Sequence, residues 1–110
     1  MKINKKLFRT ICEIQSVSYD MNDISYFIYE YLTENNILFD VDIHGNIYIN
    51  RDYKNVPCMV AHLDTVHELV EDLTVFECGN IWTGINRKHM IQTGIGGDDK
   101  VGIYITLELL

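Results

Sequence analysis

Two residues that can bind or orient a metal ion, His62 and Asp64, end an apolar run in the stretch VPCMVAHLDTVHE, residues 56–68. If the run is a β-strand, side chains two positions apart point to the same face. A neutral imidazole is a good zinc ligand, and its second ring nitrogen usually donates to a carboxylate that fixes the tautomer. The pair suits a metal ligand with its orienting partner. A core strand that ends in a polar loop would have the same sequence pattern.

A second stretch, TGIGGDDKVG at 93–102, places two aspartates directly after a glycine-rich turn. Glycines crowd positions where the backbone takes unusual angles or approaches another group closely. The stretch does not match the phosphate-binding loop G-x-x-x-x-G-K-[ST], and its carboxylates would repel a phosphate. A carboxylate here can hold metal, and one aspartate can bridge two ions about 3.5–4 Å apart. The alternative is a helix N-terminus capped by aspartate.

The elements that must position these residues begin with two predicted helices. The first covers residues 3–15, and the stretch SVSYD ends it. In the second, Asp20 is the expected N-cap, and Asn35 and Asn36 form the end, because asparagine tolerates the left-handed conformation. Apolar residues at helical spacing define the two helices: Ile3, Leu7, Ile11 and Ile14 in the first, and Ile24, Phe27, Ile28, Tyr31 and Leu32 in the second.

Strands are predicted after the second helix. Two alternating runs around His44 and Gly45, in ILFDVDIHGNIYIN at 37–50, indicate a hairpin with His44 in its turn. PCMVAHL, 57–63, is a continuous apolar run typical of a strand covered on both faces. LTVFEC, NIWTGIN and HMIQTG indicate three further short strands. The last segment, DDKVGIYITLELL, alternates like a strand but begins with acids that suit a helix, so both readings stay open.

Composition limits the classes of function. The chain has 110 residues, enough for one small domain, and its net charge is −7 with no long basic run. We therefore expect no nucleic-acid partner, because such binding depends on neutralising phosphates. We expect no membrane partner either, since no run of about 18 apolar residues is present. The start of the chain lacks the apolar region of a signal peptide.

The cysteines point to a reducing compartment. Cys12, Cys58 and Cys78 have no C-x-x-C spacing and are odd in number. This favours small buried side chains over a disulfide framework or a cysteine zinc site. We therefore expect a cytoplasmic protein.

Together the two chemical motifs resemble a known family. MVAHLDTVHE followed by GIGGDDKVG looks like the N-terminal part of the co-catalytic zinc metallopeptidases, the superfamily of peptidase T, aminoacylase and succinyl-diaminopimelate desuccinylase. The lead-in SVSYDMNDISYFIYEYLTENNILFDVDIHGNIYIN is also similar, so the resemblance covers nearly the whole chain. It implies that residues 1–110 form a single α/β domain, with a mixed central sheet and flanking helices, as the N-terminal portion of a zinc-peptidase-like fold. It also makes DDKVGIYITLELL a helix packed on that sheet.

The resemblance implies roles for individual residues. His62 would ligate one metal ion, and Asp64, the catalytic-site residue, would orient His62 and modulate its basicity. Asp98 would bridge both ions of a site that holds two zinc ions when complete, with other divalent metals as alternatives. The family often has a cis peptide bond after the bridging aspartate, which here would join Asp98 and Asp99.

Three other side chains receive assignments outside the ligand set. His67 would be a loop residue near the site rather than a ligand. His89 is expected to be structural or exposed. Trp82 is expected in the core.

The same resemblance implies that the rest of the active centre lies outside this sequence. In the family, a glutamate general base and a second acidic ligand follow the helix that starts at Asp98, and a further carboxylate and a distal histidine complete the site. The sequence stops at Leu110, and Glu108 is too close to Asp98 to match the base. The chain would then be a fragment, one half of a split enzyme completed by a second polypeptide, or a degenerate domain kept for binding.

The expected function is metal-dependent amide-bond hydrolysis of the dizinc exopeptidase or aminoacylase type, incomplete in this chain alone. Its substrate would be a small peptide or an N-acyl amino acid. The alternative from another class is a non-catalytic binding or assembly protein derived from the same fold. A third reading is a plain structural α/β domain whose motifs are coincidental.

Overall fold

The computed structural model describes residues 2–49, 54–55 and 57–110. Within those ranges the chain forms three helices and five short strands. The helices are α1 (Lys5–Glu13), α2 (Asn22–Glu34) and α3 (Gly97–Glu108). The strands are β1 (Phe39–Val41), β2 (Ile47–Ile49), β3 (Leu73–Cys78), β4 (Ile81–Asn86) and β5 (Ile91–Thr93). The protein is thus of mixed α and β structure.

The three helices enclose the hydrophobic core. Each contributes apolar residues about one turn apart, so that one face of each helix is buried. Phe8 of α1 adds an edge-on ring contact to Tyr104 of α3, with the ring centroids 5.3 Å apart. The buried members of the core are Leu7 and Ile11 from α1, Ile24, Ile28 and Leu32 from α2, and Ile103, Tyr104 and Leu107 from α3.

The helix ends follow local chemistry. Asn4 begins α1, because its side-chain oxygen accepts a hydrogen bond from the Leu7 amide at 3.0 Å. The expected cap of α2 was one residue off: Met21 occupies that position, although Asp20 accepts a hydrogen bond from the Asn22 amide at 3.3 Å. Asn36 has a φ of 57°, which confirms the left-handed end predicted for α2.

The predicted hairpin is confirmed. β1 and β2 pair antiparallel with Asp40 opposite Tyr48, His44 lies in the turn, and Gly45 has a φ of 85°. Asp42 closes the turn by accepting hydrogen bonds from the amides of His44 and Asn46, both at 2.9 Å. The side-chain hydrogen bond from Asn46, with these amides, lowers the pKa of Asp42 to about 2. Asn50, the last residue of the predicted run, lies outside the described residues.

The other three predicted strands form an antiparallel sheet in the order β3-β4-β5. Its buried Val75 lies opposite Gly84, where a Cβ atom would come within 2.8 Å of the Gly94 carbonyl oxygen. The sheet contacts α1 through the Arg9 guanidinium, which donates to the Val75 carbonyl and lies over the Trp82 ring. Trp82 is half-buried between this sheet and α1, so it borders the core rather than belonging to it.

The expected mixed central sheet is replaced by two separate antiparallel sheets in the part of the chain that the structure describes. The strand predicted at 57–63 was wrong, since these residues lie in neither sheet. Val60 is 85 % exposed, which excludes a strand covered on both faces here. A short apolar run does not by itself specify pairing, because a strand also needs a neighbour for its backbone groups. Val56, which precedes the run, is outside the described ranges.

The last segment forms helix α3, as the resemblance implied, but it packs against α1 rather than on a mixed central sheet, which the described residues do not form. Its buried side chains Ile103, Tyr104 and Leu107 follow helical spacing, whereas Val101 and Ile105 are partly exposed, so the strand-like alternation does not describe which residues face the core. Of the cysteines, Cys12 is buried as expected, but Cys58 and Cys78 are exposed free thiols. Over the described ranges, no helix is both long and apolar enough to cross a membrane.

Candidate metal centre

The structure brings His62 and Asp98 together from segments 36 residues apart in the chain. The Nε2 atom of His62 lies 2.8 Å from Oδ1 of Asp98. The imidazole is 51 % exposed and the aspartate side chain 92 % exposed, so the pair faces solvent. The two residues predicted as metal ligands are therefore neighbours at an open surface.

Asp98 is positioned by the glycine turn in front of α3. Gly96 caps this helix with a left-handed φ of 69°, and Asp98 and Asp99 have non-helical backbone angles inside it. The peptide bond between these two aspartates is cis, as the resemblance implied. Asp99 turns its carboxylate back onto the helix, where Oδ1 accepts a hydrogen bond from the Gly102 amide at 3.0 Å. The two adjacent acids thus have different environments, and Asp98 alone meets His62.

His62 is positioned by the connection between α1 and α2. Residues 16–18 run beside residues 63–65, with a parallel bridge between Val17 and Thr65. The Thr65 amide donates to the Ser16 carbonyl at 2.7 Å, and the Ser16 hydroxyl donates to the Leu63 carbonyl at 2.6 Å. Ser16 and Thr65 are buried. The segment that contains His62 and Asp64 is therefore fixed by backbone contacts to a neighbouring loop, not by membership of a sheet.

Asp64 contacts His62 with two of its oxygens. The Nδ1 atom of His62 lies 2.9 Å from the Asp64 backbone oxygen and 3.3 Å from its carboxylate Oδ1. The other carboxylate oxygen, Oδ2, accepts a hydrogen bond from the Ser18 hydroxyl at 2.6 Å. Asp64 thus lies on the Nδ1 side of the imidazole, and its role in orienting a metal ligand stays a prediction. Ser18 was missed from the sequence, where SVSYD was read only as the end of a helix.

Electrostatics of the site favour a charged His62 and a charged Asp64. The hydrogen bond to Asp98, followed by the one to the Asp64 backbone, raises the pKa of His62. The hydrogen bond from Ser18 lowers the pKa of Asp64. A protonated imidazole donates from both ring nitrogens. In that state a proton lies between Nε2 of His62 and Oδ1 of Asp98. A cation held by both atoms would take the place of this proton.

Lys100, the lysine of the GIGGDDK stretch, is turned away from this surface. It is 1 % exposed, and its ammonium donates to the carbonyl oxygens of Ile11, at 3.2 Å, and Ile14. The Ile11 carbonyl belongs to the last turn of α1 and the Ile14 carbonyl to the residue that caps this helix, where carbonyl groups lack partners within the helix. Burial lowers the pKa of Lys100 to about 8. The lysine therefore joins the start of α3 to the end of α1, a role that no local sequence pattern indicates.

The other histidines lie apart from the pair. His67 is near the glycine turn: a Cβ atom on Gly96 would lie 3.2 Å from its Nε2, and this nitrogen is buried without a hydrogen-bond partner. Its expected place in a loop near the site is confirmed. His89 is exposed in a turn, in line with its assignment.

The donor set fits part of a zinc centre. Imidazole nitrogen and carboxylate oxygen are both zinc ligands, and the second nitrogen of His62 has the partner that zinc-binding histidines usually have. A catalytic zinc normally has three protein ligands. Among the described residues, no group of three or more histidines, cysteines and acids could hold a metal ion. Among the described residues, His62 and Asp98 thus bring together two donor atoms of the kinds that zinc binds, fewer than a catalytic zinc normally has.

Comparison of the chain with models of protein families, with curated proteins and with solved structures found no match.

Proposed function

We propose that this chain supplies part of the co-catalytic zinc centre of an amide-bond hydrolase, of the metallopeptidase superfamily that its motifs resemble. The observation that carries the proposal is the 2.8 Å approach of His62 Nε2 to Asp98 Oδ1, two residues singled out by type and position. The finer fold, the N-terminal portion of a zinc-peptidase-like domain, is part of the same proposal.

Each residue has a defined task in this centre. His62 would ligate one ion through Nε2, and Asp98 would bridge two ions, for which its exposed carboxylate leaves room. Asp64 would hold the Nδ1 side of the imidazole, so that Nε2 keeps its direction toward the ions. Bound zinc polarises a carbonyl and makes water a stronger nucleophile at neutral pH.

The substrate class follows from the chemistry of such a centre. We propose a small peptide or an N-acyl amino acid, whose amide carbonyl would meet the ions at the open surface beside His62. The general base and the remaining ligands would come from a further segment or from a second polypeptide. A cytoplasmic location agrees with cysteines that are all free thiols.

Zinc titration of the purified chain by calorimetry tests the proposal. His62→Ala and Asp98→Ala should each weaken zinc binding by at least about tenfold, because losing a ligand costs no less than losing a group that orients one. His89→Ala is the matched control, since it removes an exposed imidazole elsewhere and should leave the affinity unchanged. Equal binding by the wild type and by both site variants would show that the metal site is wrong.

A second candidate is a non-catalytic binding or assembly protein derived from the same fold. Exposed apolar side chains favour it, among them Val60 in the apolar run and Ile43 in the hairpin turn. The variants described above distinguish the hydrolase from the assembly protein. An assembly protein would keep both its association, measured by sedimentation velocity, and its zinc affinity unchanged in His62→Ala and Asp98→Ala, whereas the hydrolase would lose zinc affinity in both.

A further inference from the structure

We propose that Ser18 is a positioning residue for His62, acting through the carboxylate of Asp64. The inference rests on the proposed function, because it concerns how the chain holds a metal ligand. It adds a hydroxyl, from the connection between α1 and α2, to a site that the sequence motifs place only at 62–64 and at 98.

The geometry is a chain of three polar side chains. The Ser18 hydroxyl donates to Oδ2 of Asp64 at 2.6 Å, Oδ1 of the same carboxylate lies 3.3 Å from Nδ1 of His62, and Nε2 of His62 lies 2.8 Å from Asp98. A carboxylate on a flexible side chain orients an imidazole only while its own rotation is restricted. The hydrogen bond from Ser18 to Oδ2 supplies that restriction.

The neighbouring backbone makes Ser18 well placed for this task. Its loop is bonded to the 63–65 segment through Ser16 and through the bridge between Val17 and Thr65. Those contacts hold the backbone, and they would remain if the Ser18 hydroxyl were lost. Because Ser18 itself is exposed, removing its hydroxyl should affect the Asp64 carboxylate without opening the core.

The experiment compares Ser18→Ala with Ser18→Thr, which keeps a hydroxyl. In the metal-free chain, nitrogen-15 NMR of the His62 ring, recorded above the pH at which its signals stop changing and the ring is neutral, reports which ring nitrogen carries the proton. Both nitrogens of the wild-type ring face an oxygen, so we expect Ser18→Ala to lower the share of the proton on Nδ1 relative to the wild type, and Ser18→Thr to restore the wild-type signal. Zinc affinity should fall about three- to tenfold in Ser18→Ala, less than the ~10–100-fold typical of a ligand's direct partner.

A double-mutant cycle with Asp64→Ala distinguishes action through Asp64 from a general structural effect. If Ser18 acts through that carboxylate, Ser18→Ala should change neither the ring signals nor the zinc affinity in the Asp64→Ala background. Thr10→Ala is the control, because its exposed hydroxyl bonds within α1, to the Lys6 carbonyl. The Asp64→Ala variant alone loses the carboxylate but keeps the backbone oxygen that faces Nδ1. Its effect on the ring signals and on the zinc affinity is therefore the upper limit for the effect of Ser18→Ala.

The outcomes separate the two proposals. Ring signals in Ser18→Ala identical to those of the wild type, or an undiminished effect in the Asp64→Ala background, would overturn the role of Ser18. A wild-type chain that binds no zinc but whose His62 ring responds to Ser18→Ala would count against the proposed function alone.

Discussion

At the scale of single residues, one glycine of the GIGG turn is required by geometry. Gly96 has a φ of 69°, and an added Cβ atom would lie 2.8 Å from Cγ2 of Thr65. The next residue, Gly97, has no atom within 4 Å of such a Cβ. The close approach of Gly96 brings the start of α3 against the segment that follows Asp64. The turn is thus what allows Asp98 to reach His62.

Replacing Gly96 by alanine should therefore destabilise the protein by about 1–3 kcal/mol, because a non-glycine residue is strained at this φ and the Cβ atom meets Thr65. Gly97→Ala is the control without either problem and should change the free energy of unfolding little. Gly79→Ala isolates the conformational strain, since Gly79 has a φ of 60° in open space. Urea unfolding measures all three. A loss for Gly96→Ala no larger than for Gly97→Ala would show that the turn is not packed as described.

At the scale of elements, the sequence predicts what local pattern encodes. Helices α1 and α2 follow from apolar spacing, and the hairpin follows from the glycine after His44, because these signals act between neighbours in the chain. Helix α3 could be predicted only from the family resemblance, because its core-facing residues and its strand-like alternation give conflicting local signals. The strand expected at 57–63 failed because pairing depends on a partner elsewhere in the chain.

The candidate site likewise combines residues that could be predicted from the sequence with residues that could not. His62, Asp64 and Asp98 could be singled out by type and position, and the structure places them next to one another, while their metal chemistry stays a prediction. Ser18 and Lys100 were missed because their partners are 46 residues away or more, at Asp64 and at the end of α1. A serine in a loop and a lysine after two aspartates carry no local signal of such contacts.

The link between α1 and α3 gives a prediction at this scale. Lys100→Met keeps much of the apolar volume but removes the ammonium that satisfies the carbonyl oxygens of Ile11 and Ile14. We expect a loss of about 1.5–3 kcal/mol in the free energy of unfolding, the usual contribution of hydrogen bonds to a charged group. Lys88→Met is the matched control: its exposed ion pair with Glu71 should contribute no more than about 1 kcal/mol. Thermal or urea unfolding measures the loss in each variant. Equal losses for Lys100→Met and Lys88→Met would contradict the role of Lys100.

At the scale of the whole molecule, the chain exposes more surface than its size requires. Its accessible surface is 7946 Å², against about 6,300 Å² for a typical folded monomer of this mass. Its radius of gyration is 14.8 Å, against about 13 Å for a typical domain of this length. Exposed apolar side chains occur in the run at 57–63, where Met59 is 51 % and Val60 85 % exposed. The sequence pattern of this run predicts burial, whereas most of its residues are exposed in the structure.

A pair of valine-to-threonine substitutions tests that difference. Threonine has nearly the shape of valine but adds a hydroxyl, which costs about 1–3 kcal/mol where it is buried without a hydrogen-bond partner. Val60 is 85 % exposed and Val75 is 1 % exposed. We therefore expect Val60→Thr to change the free energy of unfolding by less than about 0.5 kcal/mol, and Val75→Thr to lower it by about 1–3 kcal/mol, both measured by urea unfolding. If Val60→Thr costs as much as Val75→Thr, residues 57–63 form the covered strand that their sequence predicts, and His62 reaches Asp98 from the end of a sheet rather than from a loop.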